Sequence, residues 1–229
     1  MTEQTEPVVV EVAVGAPIET VWRSLRDPAL IRLWHGWNYD QLDAEIDVIF
    51  VKGAEADDER QVLHLGDGDR FELHPDTRGT LVRIVRAPYV AGSEFSDFYA
   101  EITEGWLSFL QQLRFMHEQH PEEARRTLFF SGTGTAESLP GLLAVPPEAV
   151  GEILYAAEHQ GGQVLPDLGP GLLITASKAP VTDDQGRVAV DAMAILSTYG
   201  LDDDQFSVQA EKWATWWRSA YPDADDPQT

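Results

Sequence analysis

The chain has 229 residues, no cysteine, and 39 acidic against 16 basic side chains, a net charge of −23. That balance disfavours nucleic acid and anionic lipid, both of which are held through Lys and Arg, and the missing cysteines exclude disulfide frameworks, thiolate zinc sites and Cys nucleophiles. The polar start, Met1 to Glu6, carries no signal pattern, and no apolar run nears the roughly 18 residues of a membrane span, so a soluble, cytoplasmic protein is expected.

The first predicted element is a strand, Val8 to Val14, with Val8, Val10, Val12 and Val14 on one face. Pro17 opens a helix in which Ile18, Val21, Trp22 and Leu25 share a stripe. Asp27 caps a short second helix from Pro28 to about Trp34. Leu42–Val51, rich in Ile and Val, predicts a strand, and 54–59 an acidic turn. Gln61–Leu65 and Arg70–His74 predict a hairpin across Gly66-Asp67-Gly68-Asp69. A turn at 75–79 leads into an alternating strand, Thr80–Arg86.

A long helix is predicted from Glu94 to about Glu118, capped by Ser93, with Phe95, Phe98, Ile102, Trp106, Phe109, Leu110, Leu113 and Met116 at helical spacing. Gly105 in its middle suggests close backbone approach to a sheet. Beyond Pro121, Arg126–Phe130 predicts a strand and 132–138 a loop of small residues. Pro147–Ala157 predicts a helix, with a strand over Glu152–Glu158 as the alternative. Gly161-Gly162 and 166–171 read as breakers. Leu172–Ala176 and Val188–Tyr199 predict strands around a turn at 183–186. The last element is a helix from Asp203 to Ala220, with Phe206, Ala210, Trp213, Trp216, Trp217 and Ala220 on its apolar face, followed by a frayed tail.

Each half therefore runs from strands into one aromatic-rich helix, as a degenerate tandem repeat would. The charge divides in the same way: residues 1–120 carry −12 and 121–229 carry −11. The pattern leads to an α+β fold with antiparallel sheets. The expected divisions are 1–121, 122–222 and a flexible tail at 223–229.

Five segments of the first half carry a family resemblance: Ala16-Pro17-Ile18-Glu19-Thr20-Val21-Trp22-Arg23-Ser24-Leu25, Asp27-Pro28 through Trp34, Phe71-Glu72-Leu73, Gly79-Thr80-Leu81, and Glu104-Gly105-Trp106 with Leu110 and Leu113. In that order they resemble the SRPBCC (START/Bet v 1-like) superfamily, in the subgroup named after the activator of Hsp90 ATPase. The likeness covers about residues 8–120, and the second half looks like a diverged, partial copy. It implies a helix-grip fold, a curved antiparallel sheet packed on a long C-terminal helix with a cavity between them.

Catalytic and metal motifs are weak. His117-Glu118-Gln119-His120 has i, i+3 spacing in place of the i, i+4 of a zincin. Asp67-Gly68-Asp69 lacks the remaining ligands of an EF-hand. Gly132-Thr133-Gly134-Thr135 has no following Lys-Ser/Thr for a P-loop. No catalytic residue, metal or cofactor is expected. Aromatic stripes are the most informative feature. Trp34, His35, Trp37, Phe71, Leu73, Phe98, Ile102, Trp106 and Phe109 are the expected ligand-binding residues, with plain core packing as the competing role. The expected function is non-enzymatic binding of a small hydrophobic molecule. The resemblance also implies two alternatives, a module contacting an Hsp90-type chaperone and a polyketide cyclase-like enzyme.

Overall fold

The computed structural model describes residues 8–89, 99–135, 146, 149–178, 181–182, 188–222 and 224–229. The chain forms two compact units. The first contains residues 1–36 and 40–123, and the second contains 37–39 and 124–229.

In the first unit, β1 (Val9–Val14) buries Val12 and Val14 and turns Glu11 outward. Pro17 precedes α1 (Ile18–Ser24), which buries Val21 and Trp22. Asp27 caps α2 (Pro28–Ile31), its carboxylate accepting from the Ala29 N–H at 3.0 Å. Four strands follow: β2 (Glu55–Asp57), β3 (Val62–His64), β4 (Arg70–Asp76) and β5 (Gly79–Val85). The sheet is antiparallel, in the order β1-β5-β4-β3-β2. Its inner face presents Val12, Val14, Leu63, Phe71, Leu73, Val82 and Ile84, all buried. Its outer face carries a charge ladder in register, Glu11 opposite Arg83 and Arg83 opposite Glu72. Burial alone would raise the Glu72 carboxyl, but Arg70, His74 and Arg83 outweigh it and hold it below its ordinary value. Pro75 lies in β4 beyond the reach of β3, where its missing N–H leaves no rung unmade. At Gly79, φ is +145°, and a Cβ would lie 2.6 Å from the Ala16 carbonyl oxygen, so no other residue closes this turn without strain.

Residues 42–51, expected as a strand, are helical. They form α3 (Leu42–Ile46) and a π-helical segment (Asp47–Lys52). The buried positions are Leu42, Ile46 and Phe50, at i, i+4 and i+8, while Val48 and Val51 are exposed. That helical period outweighs the β-branched composition. The Gly53 N–H donates to the Val48 carbonyl at 3.1 Å, closing the wide turn. The expected acidic turn at 54–59 includes strand β2 instead. The long helix is α4 (Tyr99–Gln119); its predicted beginning, with the Ser93 cap, lies outside the described residues. It buries Trp106, Leu110, Leu113 and Met116 and packs along β1.

The second unit holds β6 (Arg125–Thr135), β7 (Glu152–Ala156), β8 (Gln160–Leu165), β9 (Gly171–Ser177), β10 (Val181–Thr182), β11 (Val188–Tyr199) and α5 (Asp203–Ala220). Gly132–Thr135, expected in a loop, continues β6. Within the expected helix at 147–157, residues 152–156 form strand β7, as in the alternative of a strand over Glu152–Glu158. Gly161 and Gly162, expected as breakers, lie inside β8. There Tyr155 of β7 covers Gly162 so closely that a Cβ would come within 2.3 Å of its ring. β11 pairs with β6 on one side and with β9 and β10 on the other. α5 lays Phe206, Trp213, Ala214 and Trp217 on Leu128, Phe130, Leu173, Ala194 and Leu196 of this sheet. The last residues, expected to fray, include a rung in which Gln228 and Phe129 exchange both backbone hydrogen bonds.

The units share a topology. In each, the first strand pairs antiparallel with the last, and the others follow as a meander: β1-β5-β4-β3-β2, and β6-β11-β9-β8-β7. Each then ends in a long helix. The fold is α+β, with a helix gripped by an antiparallel sheet.

Candidate functional site

Between α4 and the inner face of the first sheet lies a cluster of rings. Trp34 follows α2 and is fully buried, its indole N–H donating to the Ser24 carbonyl at 2.9 Å. The Gln112 amide on α4 donates to the carbonyls of Trp34 and Gly36 at 3.0 and 3.1 Å, pinning this loop to the helix. His35 is therefore held inside the cluster, only 1% exposed. Its ring centroid lies 4.8 Å from Phe109, 5.1 Å from Phe50, 5.7 Å from Trp34 and 6.0 Å from Trp106. Its Nε2 is 3.0 Å from a carboxylate oxygen of Glu45 on α3. A carboxylate can only accept, so this nitrogen carries the proton. Phe71 completes the wall, edge-to-face with Trp106 at 5.3 Å.

Seven of the nine expected residues lie in this unit, with Leu73 beside Phe71 on the buried face of β4 and Ile102 and Phe109 half-buried on α4. Phe98 lies outside the described residues. Trp37 belongs to the second unit, where it stacks on Phe129 at 3.8 Å and donates to the Gln228 side chain. Phe50 and Glu45 fall outside the expected set, because the composition of their segment predicts a strand. The i, i+4, i+8 spacing of Leu42, Ile46 and Phe50 was the available signal.

Two local features bear on access. Gly105, half-buried on α4 between Ile102 and Phe109, has room beside it: among the described residues an added Cβ would meet nothing within 4 Å. The expected close approach to the sheet is not what the glycine serves. Trp106, 5% exposed, has an indole N–H that finds no acceptor among the described residues.

In the second unit, a surface groove of about 520 Å³ runs along α5, lined by Pro146, Val208, Glu211, Lys212, Thr215, Trp216 and Ser219. The Thr215 and Ser219 hydroxyls in it bond to carbonyls of their own helix, which leaves them poorly placed to orient a ligand. Among the described residues no helix is long and apolar enough to cross a membrane, and no cluster of three or more metal-ligating side chains occurs.

No family model matches the chain, and no curated protein matches it. Among solved structures it is similar to DynU16, a protein of the dynemicin biosynthetic locus, at 16% identity over 94% of this chain and 96% of that one, with a TM-score of 0.36. The di-domain ARO/CYC BexL of the BE-7585A biosynthetic pathway matches at 12% identity over 94% and 96%, with a TM-score of 0.38. SSP2350 from Staphylococcus saprophyticus matches at 17% identity over 49% of this chain and 92% of that chain, with a TM-score of 0.36.

Proposed function

We propose that the first unit binds a small hydrophobic molecule between α4 and its sheet, against Trp34, Phe71, Leu73, Ile102, Trp106 and Phe109. The observation that carries this is His35. One polar side chain, oriented by Glu45, stands inside an otherwise aromatic enclosure, the composition of a ligand site. The room beside Gly105 among the described residues supports it. In a plain core, apolar residues alone would fill the same volume without the cost of burying an imidazole. Native mass spectrometry of the chain purified from its own host tests the proposal. The expected result is a retained small molecule that is lost in Phe109→Ala. A bare chain that also takes up no apolar dye would overturn it.

His35 and Glu45 also suit proton transfer, which would make the protein a cyclase-like enzyme. With the retained molecule identified, His35→Ala should then abolish turnover while leaving binding measurable. If the site only binds, no turnover exists to lose. The subgroup resemblance suggests contact with an Hsp90-type chaperone instead. An unchanged chaperone ATPase rate at saturating chain is the outcome the ligand role predicts. We further take the two units as diverged copies of one ancestral fold, a view their common strand order supports.

A further inference from the structure

We infer that the ligand of the first unit carries a neutral hydrogen-bond acceptor, a carbonyl oxygen on an otherwise apolar body, and that the Trp106 indole N–H receives it. The inference rests on the ligand role proposed for this unit and adds the chemistry of what binds. Nearly all buried donors in folded proteins find a partner, and leaving one unpaired costs about 1–3 kcal/mol. Trp106 breaks that pattern inside the ring cluster: its N–H has no acceptor among the described residues, although the side chain is 95% buried by its 5% exposure. By contrast, Trp34, in the same cluster, donates to Ser24, and Trp22 at the edge of the unit donates to Asp58. Trp106 directly follows Gly105 on α4, where an added Cβ would meet nothing within 4 Å among the described residues. Room for an incoming molecule and an unused donor thus occur at consecutive positions of the helix. The rings of Phe50, Phe71 and Phe109 around it offer no lone pair and favour a flat, polarisable body; His35, 6.0 Å away, has an acceptor in Nδ1, but the Trp106 N–H makes no hydrogen bond to it. The indole N–H is a donor only and stays neutral, so at this atom a cation finds no acceptor and a carboxylate gains less than it would from a positive side chain.

A matched pair of probes tests this: 2-acetonaphthone and 2-ethylnaphthalene, nearly equal in shape, of which the first alone has a carbonyl. Binding is followed by tryptophan fluorescence and by the ¹⁵N–¹H signals of the indoles. The ketone should bind at least tenfold more tightly than the hydrocarbon, although water solvates it better, and should shift one indole signal downfield. Trp106→Phe removes the N–H and keeps a ring. It should erase both the preference and that signal while the hydrocarbon still binds. Should Trp106→Phe fail to fold, Gly105→Leu gives the second arm, since filling that room should weaken ketone binding and reduce the indole shift. If both probes bind equally and no indole signal moves, the acceptor inference falls and the ligand site stands. If neither binds at all, both fall.

Discussion

One buried ion pair and one half-buried histidine set residue-scale expectations. Asp69, in the β3–β4 turn, and Arg86, just after β5, are 1% and 5% exposed and lie 2.7 Å apart. Asp69 also accepts the Ala87 N–H, and Arg86 donates to the Thr103 hydroxyl on α4, so one pair ties a turn, a strand end and the helix. Burial pushes the Asp69 carboxyl above its usual value, with Asp67 adding to it, against the pull of Ala87 and Arg86. Removing one partner strands the other, so Asp69→Ala should cost about 3–5 kcal/mol in urea unfolding. Asp69→Ala with Arg86→Met should recover most of that loss, because a buried pair contributes little beyond a well-packed apolar replacement. A single variant as stable as the wild type would contradict the pairing. His117 gives a pH dependence. Burial and the positive Arg23 push its imidazole down to about 4 against the opposing carboxylates of Glu122 and Glu118. The unfolded chain binds this proton near 6.5 and the folded chain only near 4, so the stability His117 contributes is complete above 6.5 and is lost as pH falls between those values. Asp69 acts with the opposite sign at the acid end, so the reading is a difference: His117→Gln should lose less of its urea midpoint than the wild type from neutral pH down to pH 4.

At the scale of elements, helix ends and helix faces were the most legible parts of the sequence. The strand Val188–Tyr199 and the helix Asp203–Ala220 match their predicted limits, because each has a continuous period and a clean boundary. Asp202 makes a full capping box with Gln205. Asp202→Ala should therefore cost about 1 kcal/mol by thermal unfolding. Segments governed by tertiary contacts were harder to read. Residues 42–51 have a strand-like composition, yet only three of their apolar side chains turn inward, and these share one helical face. Residues 152–156 form a largely exposed strand with Ile153 turned out, so no alternation marked it. The candidate site was legible at Phe71 and Trp106, which stand on strong elements, and at Trp34, just past the capped helix α2. It was lost where it depended on the misread helix, at Glu45 and Phe50. Gly105 predicts a close contact that the described residues do not make. With no close contact to preserve, Gly105→Ala should stabilise α4 by about 1 kcal/mol through helix propensity, read as a higher Tm. A destabilised alanine variant would mean that the space beside it is needed by the packed fold.

At the scale of the whole molecule, acidity and architecture are separable. The cores of both units are aromatic and aliphatic, and of the described acidic side chains only Asp69 is buried. Exposed ion pairs such as Arg26 with Asp58 and Arg126 with Asp203 contribute only about 0–1 kcal/mol each and weaken with salt. The 16 basic groups cannot neutralise 39 acids, so net repulsion persists after every possible pair has formed. Salt therefore acts in two opposing directions, weakening pairs and relieving repulsion. Repulsion among the unpaired acids is the larger contribution, because it grows with their excess and each pair is individually small. Raising NaCl from about 20 mM to about 0.5 M shortens the screening length several-fold, to below the spacing of most surface charges. The Tm should rise over that range and level off at its upper end. Potassium chloride should act like sodium chloride, since screening depends on ionic strength and not on a bound ion. A falling Tm would mean that the ion pairs, among them the Glu11–Arg83–Glu72 ladder, contribute more to the fold than the excess acids cost it.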